Sequence, residues 1–190
     1  MRWAGFRCCF ADGARVTMAI HDIMLLGNPV LRTVCTPVTE FGTQGLKDLV
    51  GDLQDTLAAF RARNGFGRGI AAPQVGKTDR VIFLNIDRPV SLINPVVVRK
   101  SRKQMTLWDD CFSLPNLMVK VRRYLSIDVH FRDTEGGKHA LRAEGALAEL
   151  LQHEIDHLNG VLAIDRAVDS RHIVLRSEWE KMTDRRAITM

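Results

Sequence analysis

The stretch that organises the rest of the chain is Gln152-His153-Glu154-Ile155-Asp156-His157. Leucines and an isoleucine recur around it at helical spacing, which predicts a helix with one flank in the core and an end at Gly160. Side chains four residues apart share one face of a helix, so the two histidines can bind a single metal ion. Glu154 would lie beside that ion and handle protons without being a ligand. The motif predicts a metal-dependent hydrolytic site, although two histidines also occur by chance on surface helices.

A third metal ligand must come from elsewhere in the chain. The extended protease pattern H-E-x-x-H-x-x-G-x-x-H needs a histidine at position 163, where Ala163 stands. A His-His-Glu peptidase site would need Glu178 or Glu180 from the charged segment near the C-terminus. Cys111 is the other candidate, although a lone cysteine is more often a small buried side chain than a ligand. The residue pattern alone leaves both sources open.

Hydrophobic periodicity predicts the fold class around this site. Apolar residues at helical spacing predict a helix from Thr43 to Asn64-Gly65. Strands are predicted at residues 81–86, 92–98, 117–121, 125–131 and 161–164. The resulting expectation is an α+β fold in a single domain, with mixed, largely antiparallel strands packed around the central metal-binding helix.

The two ends of the chain read differently from its middle. We expect residues 1–17 to be a disordered extension, or to reflect a start codon assigned too early, with Met18 as the true first residue. Residues 18–169 are expected to form the catalytic domain. Residues 170–190 are expected to form a basic helix or tail, because Leu175, Trp179 and Met182 recur at helical spacing among basic residues.

Composition excludes several classes of protein. The chain has 190 residues, of which 46% are hydrophobic and 26% charged, as in a globular domain. No apolar run approaches the roughly 20 residues of a membrane span, so no membrane partner is expected. Four cysteines without a C-x-x-C pair indicate a reducing compartment. The net charge is only +5, and the basic cluster at residues 99–103 has no interleaved aromatic residues, so DNA binding is not expected.

Residues 65–76 form a glycine-rich stretch, GFGRGIAAPQVG. A dinucleotide-binding G-x-G-x-x-G would need glycine at Ile70 and a following helix, which Pro73 blocks. Glycines that let a ligand approach the backbone, with the amide of Gln74 projecting towards it, fit this stretch better.

Three motifs, in this order, resemble those of peptide deformylases, which remove the formyl group from the N-terminal methionine of new bacterial proteins. Residues 67–74 resemble the family's G-x-G-[ILV]-A-A-x-Q, residues 109–113 its E-G-C-L-S, and residues 152–157 its Q-H-E-x-D-H. The resemblance runs from about Ile20 to Arg166. The second motif departs from the family's, since it reads D-D-C-F-S.

The resemblance implies a role for each matching residue. Glu154 would be the acid/base, and Gln74 with the backbone N–H of Phe112 would bind the oxyanion. The implied metal ligands are Cys111, His153 and His157. The implied substrate-binding residues are Gly67, Gly69, Ile70, Asp110, Arg123 and Glu149.

The resemblance also implies the cofactor, the partners and the location. The cofactor would be one divalent metal ion, iron(II), with zinc, nickel or cobalt as alternatives. The substrates would be formyl-Met nascent peptides in a bacterial-type cytoplasm, or alternatively in an organelle. The basic C-terminal tail could make a weak ribosome contact. The competing functions are a His-His-Glu metallopeptidase and a non-catalytic, ribosome-associated relative.

Three carboxylates near the predicted ligands lead to an expectation about specificity. If Glu149, Asp109 and Asp110 all face the cleft, its mouth is acidic and favours basic substrates. Alternatively, Glu149 pairs with Arg142 or Arg123 and the aspartates face solvent.

Overall fold

The computed structural model describes residues 19–188, with the backbone alone for residues 183–188. The predicted extension at residues 1–17 therefore lies outside the described residues. The α-helices are Gln44–Asn64 (α1), Ala146–Leu158 (α2) and Arg176–Ile188 (α3). The strands are Gly69–Ala71 (β1), Val81–Asn85 (β2), Pro89–Lys100 (β3), Gln104–Asp109 (β4), Leu117–Tyr124 (β5), Ser126–Arg132 (β6), Lys138–Glu144 (β7) and Ile173–Leu175 (β8).

Helix α1 begins and ends where the sequence predicted. The Thr43 hydroxyl accepts a hydrogen bond from the Leu46 amide at 3.3 Å, which satisfies one of the free N–H groups of the first turn. Gly65 ends the helix with φ +77°, a conformation that glycine adopts without a steric penalty. The buried face of α1 packs through Leu53 and Leu57 against the sheet residue Phe83. This packing holds the glycine-rich segment after α1 against the sheet.

A five-stranded sheet forms the main layer, in the order β1-β2-β3-β6-β7. All of its ladders are antiparallel. Helix α2 packs on this sheet through Leu151, Ile155 and Leu158, which share one core with Ile82 and Val129. The predicted α+β class, with largely antiparallel strands around a central helix, is therefore confirmed.

A second, three-stranded antiparallel sheet has the order β4-β5-β8. Strand β8 pairs Ile173 with Val119 of β5, so the chain beyond residue 169 supplies a strand to this sheet. The strand predicted at residues 161–164 is wrong, because Ala163–Arg166 form a 3₁₀ turn instead. Leu162 and Ala163 are buried there, and a short apolar run does not distinguish a strand from a buried turn.

In the part of the chain that the structure describes, no helix is both long enough and apolar enough to cross a membrane.

Candidate metal centre

Helix α2 brings the two histidines together, as their spacing predicted. The Nε2 atoms of His153 and His157 lie 3.2 Å apart, and both side chains are buried. The helix begins after Gly145, whose φ is +59°, and it ends at Leu158. The apolar flank of α2 lies in the core of the main sheet, and the opposite flank carries the histidines, of which His153 lines the cleft.

Cys111 lies on the loop between β4 and β5. Its Sγ atom is 3.2 Å from His157 Nε2. A hydrogen bond of 2.9 Å from the Leu114 amide to the Cys111 carbonyl oxygen holds this loop in a turn. Among the described residues, Cys111, His153 and His157 form a group whose ligand atoms all lie within 4.8 Å of one another.

The structure identifies the third member of this group as Cys111 and not a C-terminal glutamate. Glu178 and Glu180 are exposed on α3, and the Glu178 carboxylate pairs with Lys181 at 2.6 Å. Neither belongs to a described group of potential metal ligands. The alternative of a His-His-Glu metallopeptidase is therefore not supported.

The separations between the three donor atoms fit a metal ion. Donors bound at 2.0–2.3 Å in tetrahedral directions lie roughly 3.3 to 3.6 Å apart. His157 Nε2 lies 3.2 Å from both Cys111 Sγ and His153 Nε2, which is close to that range. One thiolate and two imidazoles suit iron(II), zinc, cobalt and nickel. Three protein ligands also leave a coordination position for water or substrate.

Asp109 orients one of the histidines. Its carboxylate lies 3.0 Å from His153 Nδ1. Burial alone would raise the pKa of Asp109, but His153 and Arg123 outweigh it and lower this pKa to about 2. The carboxylate is therefore ionised and accepts a hydrogen bond from the Nδ1 N–H, which fixes the ring so that Nε2 faces the other two donor atoms. This role of Asp109 was missed in the sequence.

The structure corrects the prediction that Arg123 lies on the substrate path. The Arg123 side chain is 3% exposed and lies behind the metal ligands. Its guanidinium donates to Asp109 at 3.0 Å and also pairs with the Asp156 carboxylate. A buried cation with two carboxylate partners has no access to the cleft, so Arg123 supports the ligand shell and does not bind substrate.

Glu154 lies next to the ligands in a dry environment. Burial raises the pKa of its carboxyl group to about 7. Among the described side chains, no hydrogen bond reaches Glu154 Oε2. Its other oxygen, Oε1, faces Gly69, where an added Cβ would be only 2.8 Å away. A buried carboxyl group that titrates near neutrality and faces a cleft is suited to accept and return a proton.

The pKa values of the two histidines move in opposite directions. Burial lowers the pKa of His153, but the neighbouring Asp109 and Cys111 outweigh it and raise this pKa well above its usual value. Burial and the charge of His153 lower the pKa of His157 well below its usual value. His157 is therefore neutral at physiological pH, whereas His153 would have to release its Nε2 proton when a metal ion binds.

Gln74 and Phe112 both line the cleft that contains these groups, which has a volume of about 540 Å³. The side-chain oxygen of Gln74, Oε1, accepts a hydrogen bond from the backbone amide of Ala71 at 3.0 Å. This bond fixes the orientation of the Gln74 side-chain amide. Its nitrogen points towards Cys111 Sγ at 3.8 Å. The Phe112 ring stacks on Phe60 at 3.8 Å between centroids and forms an aromatic wall.

The substrate-binding residues expected in the glycine-rich segment divide into two groups. Gly67 and Gly69 line the cleft, as expected. Ile70 does not, since it is fully buried and packs in the core beneath α1. Strand alternation explains this difference, because adjacent residues of β1 point to opposite faces of the sheet.

Of the two alternatives for Glu149, Asp109 and Asp110, an acidic mouth or pairing with arginine, the structure favours pairing. Glu149 lines the cleft, but its carboxylate pairs with Arg68 at 2.6 Å, and not with Arg142 or Arg123. Asp110 also lines the cleft and pairs with Arg176 at 2.9 Å, and Asp109, at the buried end of the lining, pairs with Arg123. Each carboxylate therefore has an arginine partner. The pairs with Arg68 and Arg176 join residues 81 and 66 positions apart in the sequence.

The fold and site define a class of protein: a hydrolase with a Cys-His-His group that could hold a metal ion and a buried helical glutamate beside it. A sequence model described as polypeptide deformylase matches residues 20–172. The chain belongs to this family, and it is an enzyme that removes the N-formyl group from the N-terminal methionine of newly made proteins.

Individual relatives agree with this assignment. The chain is 33% identical to a peptide deformylase of Brucella suis over 176 aligned residues. The alignment covers 90% of this chain and 97% of the relative. Its structure resembles the crystal structure of peptide deformylase from Thermotoga maritima, with a TM-score of 0.74 and 34% identity over 80% of this chain and 99% of that one. It also resembles a peptide deformylase from Acinetobacter baumannii with Met-Ala-Ser bound, with a TM-score of 0.72 and 27% identity over 78% of this chain and 98% of that one.

Proposed function

We propose that Cys111, His153 and His157 hold one divalent metal ion and that Glu154 is the acid/base in hydrolysis of the formyl group. The observation that carries this proposal is the convergence of three donor atoms, all within 4.8 Å of one another, beside a buried carboxyl group that lines one cleft. The ion, when bound, would lower the pKa of water towards about 7 and polarise a carbonyl oxygen. The remaining chemistry comes from side chains of this chain.

Glu154 has two successive tasks in this mechanism. It first accepts the proton of the attacking water, and it then passes that proton to the departing amine, which would otherwise be a poor leaving group. Its pKa of about 7 allows both steps at neutral pH, because neither protonation state is strongly disfavoured. The absence of a hydrogen-bond partner for Oε2 among the described side chains leaves that atom available for the proton.

Gln74 and the backbone N–H of Phe112 would stabilise the negative charge that develops on the formyl oxygen. Gln74 is 2% exposed, and the Ala71 amide holds its orientation before substrate arrives. Such preorganised donors contribute about 3 kcal/mol each in comparable sites. Phe112 follows Cys111 directly in the sequence, so its amide would lie near an ion held by Cys111.

We propose iron(II) as the physiological ion, with zinc, nickel or cobalt able to occupy the same ligands. The soft thiolate of Cys111 and two imidazoles favour these ions over magnesium or calcium, which prefer oxygen ligands. An iron(II) enzyme should lose activity in air. Metal analysis of protein purified with and without oxygen would identify the ion.

The substrate is proposed to be the formyl-Met end of nascent peptides in a bacterial-type cytoplasm, with an organelle as the alternative location. The Acinetobacter relative with Met-Ala-Ser bound supports a peptide in the equivalent cleft. Gly67 and Gly69 would lie along that peptide, since both line the cleft without a side chain.

A weak ribosome contact through the basic C-terminal segment also stays a proposal. The exposed side chains of Arg171 and Lys181 support it. Truncation after Asp169 would also remove β8, so substitution of both basic residues by glutamine is the cleaner test. The proposal predicts weaker, salt-dependent co-sedimentation with ribosomes for that variant. Unchanged co-sedimentation would contradict it.

Two substitutions separate metal binding from proton transfer. Cys111→Ala should lose the metal, because two imidazoles alone bind it weakly. Glu154→Gln should keep both fold and metal but lose about 100-fold or more in formate release. Metal stoichiometry and formate release would be measured on the same preparations. A Glu154→Gln enzyme within a few-fold of wild type would refute the role of Glu154.

A further inference from the structure

The mouth of the cleft carries arginines whose charge the nearby carboxylates do not fully offset. Arg61, Arg68 and Arg176 all line it. Arg68 is 46% exposed, whereas its partner Glu149 is only 7% exposed, so the cation of this pair faces outwards. Arg176 and Asp110 are both partly exposed, at 27% and 38%, and form a neutral pair.

Arg61 differs from the other two arginines because its partner is a backbone oxygen. Its Nη1 atom donates to the Asn85 carbonyl at 3.0 Å. The Arg61 stem also lies against Gly67, where an added Cβ would be 3.2 Å from Arg61 Cγ. Among the described side chains, no carboxylate forms an ion pair with Arg61. Its full positive charge is therefore held in place at the mouth.

A peptide substrate must pass through the mouth of the cleft, where Arg61 lies. The groups that act on the formyl carbon are buried, whereas Arg61, Phe66 and Arg68 on the lining of the cleft are exposed. A peptide whose formyl group reaches Glu154 therefore leaves the cleft between the exposed residues. The residues that follow formylmethionine then lie near Arg61.

We propose that Arg61, with the outward-facing Arg68, selects peptides that carry a carboxylate in the residues directly after formylmethionine. This inference rests on the proposed function and adds a substrate class to it. Opposite charges at the rim of a binding site raise the association rate and are screened by salt. The preference is the reverse of the one expected when Glu149, Asp109 and Asp110 are considered without their arginine partners.

The test uses three peptide amides, formyl-Met-Glu-Ala, formyl-Met-Ala-Ala and formyl-Met-Lys-Ala, so that no terminal carboxylate is present. Formate release is measured with the metal-loaded wild-type enzyme. The expected kcat/KM for the Glu peptide exceeds that for the Lys peptide by about three- to ten-fold at about 0.01 M ionic strength. The ratio should approach one at about 0.5 M.

Two charge-reversal variants locate the effect. Arg61→Glu should invert the preference and favour the Lys peptide. Arg63→Glu changes the net charge equally, but this exposed residue lies about 200° around the axis of α1 from Arg61 and does not line the cleft. Arg63→Glu should therefore keep the wild-type preference.

The possible outcomes separate this inference from the proposed function. Equal rates for the Glu and Lys peptides in wild type at low salt, or inversion by both variants alike, would overturn the selection by Arg61 while leaving the deformylase reaction intact. No formate from any of the three peptides would contradict the proposed function and the inference together. Inversion by Arg61→Glu alone would support the inference.

Discussion

Replacing Gly69 by alanine tests the position of the proposed acid/base without changing any polar group. Gly69 lies in β1, opposite Leu84 of β2. An added Cβ would lie 2.7 Å from Leu84 Cδ2 and 2.8 Å from Glu154 Oε1, both closer than ordinary van der Waals contact. The backbone of Gly69 is not in the left-handed region, so the substitution adds no backbone strain and acts through the space that the Cβ occupies.

The geometry sets the size of both effects. Restoring contact at 3.4 Å moves the Glu154 oxygen by about 0.6 Å. Misplacement by 1 Å can cost about 100-fold, so we expect kcat to fall about ten-fold or more. KM should rise as well, because the added Cβ narrows the cleft along which the peptide is proposed to lie. Overpacking should lower the free energy of unfolding by about 1 to 3 kcal/mol, and Tm by about 2 to 10 °C.

The assay is formate release under saturating and limiting substrate, with thermal unfolding of the same metal-loaded protein. Gly45→Ala is the matched control, because a Cβ at Gly45 of α1 meets no atom within 4 Å. It should keep wild-type activity and raise stability by about 0.5 to 1 kcal/mol. A Gly69→Ala enzyme with a lowered Tm but wild-type kcat would refute the dependence of the reaction on the position of Glu154.

Three further predictions concern the ion pairs around the centre and at the surface. Asp109→Asn should weaken metal affinity by about 10- to 100-fold, measured by competition with a chelator, because the ring of the ligand histidine loses its charged acceptor. Arg123→Met should lower the free energy of unfolding by about 3 to 5 kcal/mol in urea titrations, because it leaves buried carboxylates without their cation. Burial alone would raise the pKa of the Asp165 carboxyl group. Hydrogen bonds from Arg32 and the Leu162 amide outweigh burial, so the net pKa lies below its usual value. The stability that Asp165 adds is present above its unfolded pKa, so the difference in Tm between wild type and Asp165→Asn should shrink as the pH falls below about 4.

The local patterns in the sequence were sufficient to predict α1 and the metal-binding helix. Thr43 and Gly65 are capping residues with strong positional preferences, and the histidine spacing follows from helix geometry. Strand β1 was missed because its three residues, Gly69–Ala71, continue a glycine-rich stretch without visible alternation. Strand β7 was missed because most of its side chains are exposed or half-buried, so its sequence KHALRAE shows little hydrophobic pattern.

The ligands could be predicted, but the ion pairs that support them could not. The histidine pair could be predicted from its spacing, whereas Cys111 was assigned only through the resemblance of its motif to the family's. The partners of Glu149 and Asp110 are distant in sequence, and charge alone does not say which arginine a carboxylate meets. This is why Arg68 and Arg176 were missed and Arg123 was wrongly assigned to the substrate path. A charged residue near a motif can be assigned an ion-pair partner only once the fold shows which way its side chain points.

The most direct test of the central claim is product analysis of formyl-Met-Ala-Ser incubated with anaerobically prepared, metal-loaded enzyme. The Cys-His-His centre with Glu154 predicts equal amounts of formate and of Met-Ala-Ser with a free amine, with both peptide bonds intact. Glu154→Gln should release neither product at a comparable rate while retaining its metal. Free methionine or a dipeptide without formate would show peptide-bond cleavage and would contradict the assignment of this site to deformylation.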